Sequence, residues 1–165
     1  MPLPSTYTPI ATNTLSSNTA GITFSNLPQG YTDLALIVNG TTAGSGWVGL
    51  QIQVNGDTGS NYSTTYLYGD GSSAGSGRES NATSSNSGAI SNSKISPNIF
   101  QFQNYSNTTT YKTWLCRGNP VDGWVKAAVG LWRNTSAINS IKVFHTSDSL
   151  ASGTIITIYG IKAAS

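Results

Sequence analysis

An alternation of apolar and polar side chains at every second position is the feature that most constrains the fold of this chain. Between Val48 and Asn55, valine, leucine and isoleucine alternate with glycine, glutamine and asparagine. This pattern predicts a strand with one face in a core and the other in water. The sequence NGDTGSN follows at residues 55–61, and its residue types tolerate positive φ angles. A second apolar run begins at Tyr66, so we expect the two runs to form a hairpin.

The same pattern, a short alternating run followed by a turn rich in glycine, asparagine or serine, recurs along the chain. Residues 124–133 have a composition that also suits a helix, but their alternation and the interior Gly130 favour a strand. We therefore predict an all-β fold, an antiparallel and jelly-roll-like β-sandwich of about eight to ten strands with long polar loops. Besides the two runs above, the expected strands are residues 6–12, 21–26, 34–38, 98–105, 110–116, 124–133, 138–146 and 154–162.

A chain of 165 residues suits one domain with a sizeable core. Because proline donates no backbone hydrogen bond, the proline-rich residues 1–12 are predicted to be an extended N-terminal arm and an edge strand. Residues 13–165 then form a single β-sandwich domain. Within it, residues 69–96 are rich in glycine, serine and asparagine. We expect a long polar loop there, either a flexible surface excursion or an arm that orders against a partner.

The charge content excludes several classes of partner. Only 8% of the residues are charged, against roughly 25% in an ordinary soluble domain. The cations are scattered, with no run that could follow a phosphate backbone, so we predict no nucleic-acid partner. No apolar run approaches the roughly 18 residues of a membrane span, and no secretory signal is visible at the N-terminus. With Cys116 as the one cysteine, the fold must be held by packing or by oligomerisation.

The sequence offers little for catalysis. His145 is the only histidine, and its place in a predicted strand favours a structural or interface role, while Cys116 is interpreted as an inert thiol. None of the common nucleophile, phosphate-binding or metal motifs occurs. Residues 55–61 resemble an oxygen-rich calcium loop, but a single carboxylate there favours a glycine-rich turn. We predict that the chain is not an enzyme and has no catalytic residue, cofactor or metal site.

The aromatic residues are the strongest candidates for binding. On a lightly charged surface, tryptophan and tyrosine can stack on sugars or anchor a subunit interface, and ordinary core packing is the other role open to each ring. The apolar run at residues 34–38 fits a strand that is buried on both faces or lies at an interface. With the proline-containing arm, the predicted partner-binding residues are Pro2, Pro4, Tyr7, Leu36, Val38, Trp47, Trp114, Trp124 and Trp132.

Four segments resemble a family of small β-rich virion proteins of tailed phages, many of them phages of aquatic bacteria, including cyanobacteria. They are ITFSNLPQGYTDL at residues 22–34, VNGDTGSNYSTTYLYGDGSSAGSG at 54–77, GLWRNTSAINSI at 130–141 and TIYGIKAA at 157–164. Together they frame most of the domain, and none carries a catalytic motif. The resemblance implies a structural protein of the particle, either a capsid decoration (cement) protein or a fibre-type module.

From this resemblance we expect a non-enzymatic capsid decoration protein that bridges neighbouring major capsid proteins and stabilises the head as a homotrimer. It would be made in the host cytoplasm without a signal peptide and be located on the capsid surface of the virion. Its expected partners are the major capsid protein and further copies of itself. The alternative is a tail-fibre or receptor-binding module that recognises host-surface glycans through its tryptophans and tyrosines. A chain that begins at the domain edge, without an attachment domain, favours decoration.

Overall fold

A computed structural model describes residues 6–120 and 123–162, and the regular elements within these ranges are all β-strands. The all-β prediction is therefore confirmed, whereas the predicted number of about eight to ten strands is too low, because Ala74–Ala82 and Ser85–Ser91 form strands in the segment predicted to be a loop. Within the same ranges no helix is long and apolar enough to cross a membrane. In chain order, the twelve strands of the described residues are β1 (Tyr7–Thr14), β2 (Gly21–Phe24), β3 (Asp33–Gly40), β4 (Trp47–Val54), β5 (Tyr62–Gly69), β6 (Ala74–Ala82), β7 (Ser85–Ser91), β8 (Ser96–Phe102), β9 (Lys112–Gly118), β10 (Val125–Trp132), β11 (Ile141–Phe144) and β12 (Ile155–Ile161).

The strands form two antiparallel sheets that enclose one core, which makes the fold a β-sandwich. The larger sheet has eight strands in the order β1-β12-β3-β8-β9-β10-β5-β6, and the smaller has four in the order β2-β11-β4-β7. The first and last strands pair with each other, with Tyr7 opposite Ile161. Most hydrogen-bonded neighbours are far apart in the chain, so the sheets depend on long-range pairing rather than on local hairpins.

The core lies between the sheets and follows from the alternation along the strands. Leu50, Ile52 and Val54 of β4 are fully buried, as their even spacing predicts. Full burial of one such side chain stabilises the fold by about 1.5–3 kcal/mol. Aromatic residues fill the space between the sheets, and the largest fully buried side chains are Trp114, Trp132, Tyr62, Tyr105, Phe100 and Phe102.

The prediction of a long polar loop at residues 69–96 needs correction, because these residues form β6 and β7 with short connections. Strand β7 is almost wholly buried although its sequence is SNSGAIS. The indole Nε1 of Trp114 donates to Ser87 Oγ at 3.0 Å, and Asn98 exchanges two hydrogen bonds, of 2.8 and 2.9 Å, with the backbone of Ala89. Buried polar groups are tolerated when they are paired, so β7 is held in the sandwich by hydrogen bonds to the facing sheet.

The expected hairpin between β4 and β5 also needs correction. Strand β4 pairs with β11 and β7 in the smaller sheet, whereas β5 pairs with β10 and β6 in the larger sheet. Residues 55–61 therefore cross from one sheet to the other. Asn55 and Gly56 adopt positive φ angles of 54° and 66°, which agrees with their residue types. The turn chemistry was recognisable, but it did not determine which strands pair.

The N-terminal strand β1 lies at the edge of the larger sheet. Its ladder with β12 is irregular between Pro9 and Ala11, where proline has no N–H to donate. The arm residues Pro2 and Pro4 lie outside the described residues. Strand β3, which contains the apolar run 34–38, lies in the interior of the same sheet between β12 and β8.

Candidate functional site

The outer face of the eight-stranded sheet carries aliphatic side chains where a sheet that faces water carries polar ones. In β10 the apolar half of the alternation points outward, so Val125 is 56% and Val129 is 44% exposed, while Lys126 is buried. Leu115 of β9, which lies opposite Val129, is 45% exposed. We call this surface the outer face, and its exposed or half-buried aliphatic residues are Ile37, Leu67, Ile99, Leu115, Val125, Val129, Leu131 and Ile155.

The outer face is grooved along the middle of the sheet. Two adjoining grooves of about 630 and 400 Å³ share Leu67, Ile99, Arg117 and Ala127 as lining residues. Their walls are mostly apolar, and Arg117 is the charged side chain common to both. Such a surface offers shape and apolar area rather than charge to whatever covers it.

The size of the outer face can be estimated from strand geometry. Seven spacings between eight strands, each about 4.8 Å, and strands of about seven residues at about 3.4 Å per residue give roughly 800 Å². The largest apolar patch on a typical monomer is about 300–600 Å², whereas one partner in a standard protein–protein interface buries about 800 Å². The whole outer side of the sheet, polar side chains included, is therefore about as large as the surface that one partner buries in a standard interface.

Four of the predicted partner-binding residues are core residues instead. Leu36, Val38 and Trp114 are 0% exposed, and Trp132 is 1% exposed. In each strand, these residues alternate with neighbours that face outward. The alternation therefore predicted that they lie in strands but did not predict which face of the sheet they occupy. A partner cannot reach these side chains without opening the sandwich.

Three other predicted residues, Tyr7, Trp47 and Trp124, lie at the surface. Tyr7 is 49% exposed on the edge strand β1 and makes an edge-on ring contact with Tyr159. Trp47 is 55% exposed and stacks on Trp124 with ring centroids 4.5 Å apart. Tyr68 lies on Trp124 at 5.4 Å, which extends the stack. Their role in binding remains a prediction.

The turn at residues 55–61 is organised around Asp57. The carboxylate accepts hydrogen bonds from Trp132 Nε1 at 2.6 Å, Asn61 Nδ2 at 2.9 Å and the Gly59 backbone N–H at 2.8 Å. Burial raises the pKa of Asp57, but these three hydrogen bonds lower it by more, so the pKa lies below its usual value. The carboxylate oxygens of Asp57 thus accept hydrogen bonds from N–H groups, whereas a bound cation would need these oxygens as ligands. Nowhere in the described ranges do three or more His, Cys, Asp or Glu side chains form a group that could hold a metal ion.

Cys116 and His145 are both buried. Burial raises the pKa of the Cys116 thiol to about 12, so the thiol is protonated and unreactive at neutral pH. Burial also lowers the pKa of His145, against the opposing influence of Asp148 and a hydrogen bond with the Gly49 backbone. The Nε2 atom of His145 has no hydrogen-bond partner among the described residues.

The residues that sequence reasoning missed are the outward-facing aliphatics, Leu67, Leu115, Val129 and Ile155 among them. Their signal was present in the sequence. Both halves of the alternation in β12 are rich in isoleucine, and the run in β3 is apolar at five consecutive positions. In an antiparallel fold with no helix in the described residues to cover the sheet, apolar residues on both faces indicate that one apolar face is exposed to solvent.

Comparisons with known proteins support the fold and no more. No protein-family model and no curated protein matches this chain. Among solved structures, exo-inulinase from Aspergillus awamori matches with a TM-score of 0.51 and 10% identity, covering 94% of this chain and 29% of the inulinase chain. Galectin LEC-6 from Caenorhabditis elegans has a TM-score of 0.35 and 9% identity, covering 89% of this chain and 94% of the galectin. Alginate lyase Aly36B has a TM-score of 0.35 and 11% identity, covering 91% of this chain and 77% of the lyase.

This chain thus spans less than a third of the exo-inulinase chain, and at 10% identity the likeness concerns the fold alone. Taken together, the strand pairing and this likeness make the protein an all-β, antiparallel, jelly-roll-like β-sandwich.

Proposed function

We propose that the chain is a non-enzymatic structural protein of a phage particle, a capsid decoration protein that assembles as a homotrimer through its outer face. The observation that carries the proposal is the aliphatic outer face of the eight-stranded sheet. A monomer in water would expose Leu67, Leu115, Val125, Val129 and Ile155 together on one side. Covering such a surface is favourable, by about 25 cal/mol for each Å² of apolar area removed from water.

The occupant we propose for the outer face is another copy of this chain. An area of roughly 800 Å² equals what one partner buries in a standard interface. The face carries Arg78 and Arg117 among mostly uncharged side chains, so its complementarity to a partner lies in apolar area rather than in charge. Apolar surfaces of this kind are typical of obligate homo-oligomers, whose interfaces resemble a domain core cut in half.

The role on the capsid is supported by the resemblance of the four sequence segments to small phage virion proteins. The physical reason for such a role is mass action. A trimer that binds the assembled shell and not its opened states stabilises the shell against heat and internal pressure. A closed trimer suits a capsid because the shell offers positions of three-fold symmetry at which all copies make the same contacts.

The assembly is tested by the molar mass of the purified chain, measured by light scattering after size-exclusion chromatography. We expect the mass of three chains for the wild type and of one chain for Leu115→Lys or Leu67→Lys, because a lysine in the interface buries an unpaired charge. Thr146→Lys is the control: its side chain is exposed and lies outside the outer face, and we expect a trimer. A monomeric wild type at micromolar concentration contradicts the proposal, and a dimer contradicts the three-fold arrangement.

The location is tested on particles that contain the protein. We expect many copies distributed over the head in a cryo-electron microscopy map, and particles that lack the protein should lose resistance to heating. Finding the protein only at the tail, with full heat resistance in its absence, would exclude the decoration role.

A further inference from the structure

An aromatic groove lies where the ends of the two sheets meet, next to the outer face, and it shares Tyr66, Tyr68 and Lys126 with the grooves there. Its volume is about 490 Å³, within the range of about 300–1,000 Å³ that is usual for small-ligand sites. Strands or flanking residues from both sheets contribute to it. The aromatic groove is lined by Trp47, Gly49, Tyr66, Tyr68, Asp70, Asn86, Ala89, Trp124 and Lys126.

The four tryptophans of the chain divide into two pairs by their indole N–H groups. The two core tryptophans donate these groups to protein acceptors, Trp114 to Ser87 and Trp132 to Asp57. Among the described residues, the indole N–H groups of Trp47 and Trp124, which line the aromatic groove, have no hydrogen-bond partner. The hydroxyl groups of Tyr66 and Tyr68, which also line it, have none among the described residues either. The groove therefore offers aromatic faces together with unused donors.

The tyrosine rings of the aromatic groove pack against glycines of the neighbouring strand β6. Tyr66 lies opposite Gly77 and Tyr68 opposite Gly75 in the β5–β6 ladder. A Cβ at Gly77 would lie 2.5 Å from the Tyr66 ring, and a Cβ at Gly75 would lie 2.4 Å from the Tyr68 ring. The two rings thus lie directly over the backbone of β6. Such preorganised rings lose little conformational entropy when a ligand stacks on them.

Lys126 adds a fixed positive charge beneath the tyrosines. It is 94% buried, since its relative exposure is 6%, and its Nζ lies 4.7 Å from the centre of the Tyr66 ring. The ammonium donates to the Asn86 carbonyl at 2.9 Å and to Asn86 Oδ1 at 3.3 Å, with the Gly88 carbonyl at 3.5 Å. These contacts occupy its donors, so Lys126 shapes the groove and leaves no free ammonium for an anionic ligand.

Asp70 supplies an acceptor and a negative charge at the groove. The backbone N–H groups of Ser73 and Ser72 donate to its Oδ1 and lower the pKa of the carboxyl group, so Asp70 is ionised at neutral pH. The Oδ2 atom accepts from Ser73 Oγ at 3.1 Å and retains room for a further donor. An acidic ligand would meet this carboxylate and be repelled.

We propose that the aromatic groove binds a neutral hexopyranose unit of a glycan, which stacks on Trp47 and hydrogen-bonds to the free indole and tyrosine groups and to Asp70. A pyranose has an apolar C–H face for an aromatic ring, and each of its hydroxyls both donates and accepts, which suits the mixture of donors and acceptors in the groove. The charge of Asp70 disfavours uronic acids, sialic acids and phosphate-bearing ligands relative to neutral sugars.

The side chains of the aromatic groove point away from the outer face. Tyr66, Tyr68 and Lys126 point to the inner side of β5 and β10, whereas Leu67 and Ala127 point to the outer side, because neighbouring residues of a strand face opposite ways. The proposed saccharide site does not depend on assembly, and a trimer would present several copies of it and so raise the avidity for a polymeric glycan.

The proposal is tested by isothermal titration calorimetry of the full chain, after a screen on an array of neutral surface glycans. The probes are hexasaccharides of glucose, galactose and mannose and any array hit, with oligogalacturonate as the anionic comparator. We expect saturable binding of at least one neutral glycan and none of the oligogalacturonate. Trp47→Ala should weaken binding about ten-fold or more, because it removes the stacking platform.

Tyr111→Ala is the matched control, because Tyr111 is 57% exposed, like Trp47 at 55%, but does not line the groove. Its affinity should equal that of the wild type. The absence of binding to every neutral glycan overturns the proposal, as does unchanged affinity in folded Trp47→Ala. If circular dichroism shows that Trp47→Ala does not fold, Asp70→Asn provides the test. This variant should bind the neutral glycan more weakly than the wild type and should bind oligogalacturonate. An unchanged preference between the two ligands contradicts the proposed site.

Discussion

At the scale of single residues, Asp57 shows how one carboxylate can organise the passage of the chain between two sheets. Its partners come from the turn itself, Asn61 and Gly59, and from the core residue Trp132. The turn is thereby tied to a fully buried indole whose N–H needs an acceptor. The sequence NGDTGSN predicts a turn, but nothing local in it indicates a tryptophan 75 residues away as the partner.

We expect Asp57→Ala to lower the free energy of unfolding by about 1.5–3 kcal/mol, because it leaves the Trp132 N–H buried without an acceptor. The measurement is urea denaturation followed by tryptophan fluorescence. Asp70→Ala is the control, since Asp70 bonds only to its own exposed turn, and its midpoint should stay near that of the wild type. Equal midpoints for Asp57→Ala and the wild type would show that the hydrogen bond between Asp57 and Trp132 contributes nothing to stability.

His145 makes the stability dependent on pH in a window above that of the carboxylates. Burial holds its folded-state pKa below the ordinary value of 6.5, so just below pH 6.5 the unfolded chain binds a proton that the folded chain does not. Stability should therefore be fully present above pH 6.5 and decline as the pH falls, until the folded-state pKa is passed. The denaturation midpoint of His145→Gln should depend less on pH across this range than that of the wild type. An equal pH dependence in the two proteins would assign the decline to other groups.

At the scale of elements, the apolar alternation identified strands correctly but did not identify their inward faces. In β10 the apolar side chains Val125 and Val129 face outward, while the inward positions hold Lys126, Gly130 and Trp132. Strand β7 is the opposite case, since its polar residues are buried. In β7 the facing sheet supplies the hydrogen-bond partners of the buried polar groups. In β10 the ring of Trp114, from the neighbouring strand β9, lies over Gly130.

Gly130 in β10 is required because Trp114 lies across it. A Cβ at this position would lie 2.2 Å from Trp114 Cε2, and Trp114 is 0% exposed and cannot move aside. Gly130→Ala should therefore destabilise the fold by about 1–3 kcal/mol. Gly69→Ala in the adjacent strand β5 is the matched control, because its Cβ would meet nothing closer than 3.6 Å. Thermal melting of the two variants should differ clearly, and equal melting temperatures would contradict the close packing.

At the scale of the whole molecule, the two sides of the larger sheet are suited to different partners. The outer face is wide, aliphatic and weakly charged, whereas the aromatic groove combines rings with unused donors and the Asp70 carboxylate. A particle protein that assembles through its outer face could leave the aromatic groove on the side that faces solvent. Under the two proposals above, assembly would use the outer face, and glycan binding, the alternative that the tryptophans suggest from the sequence, would use the aromatic groove.

Assembly should make the melting temperature depend on protein concentration. Subunits that associate only when folded stabilise one another by mass action, and each 1 kcal/mol corresponds to about 2–4 °C for a domain of this size. Scanning calorimetry at two concentrations tenfold apart should show a shift of about that size for the wild type. Leu115→Lys should melt at the same temperature at both concentrations, and a wild type without any shift is incompatible with the interface.

Much of the fold could be predicted from the sequence alone. The fold class and most strands follow from the period of two, and β4, β9 and β10 fall within one or two residues of their predicted bounds. The strand in residues 85–91 could not be recognised, because its stability comes from hydrogen bonds to Trp114 and Lys126 rather than from apolar side chains. Of the predicted binding residues, Trp47 and Trp114 look alike in sequence, and only burial separates them.

The sequence by itself determined that this chain forms strands, that it turns at Asn55–Gly56 and that it carries few charged residues. Those properties depend on residue type and on neighbours along the chain. Only the tertiary structure decided that residues 55–61 join two sheets, that four predicted contact residues lie in the core and that an aliphatic face lies on the outside. These depend on which strands pair, and pairing is set by contacts between residues far apart in the chain, which a local pattern does not encode.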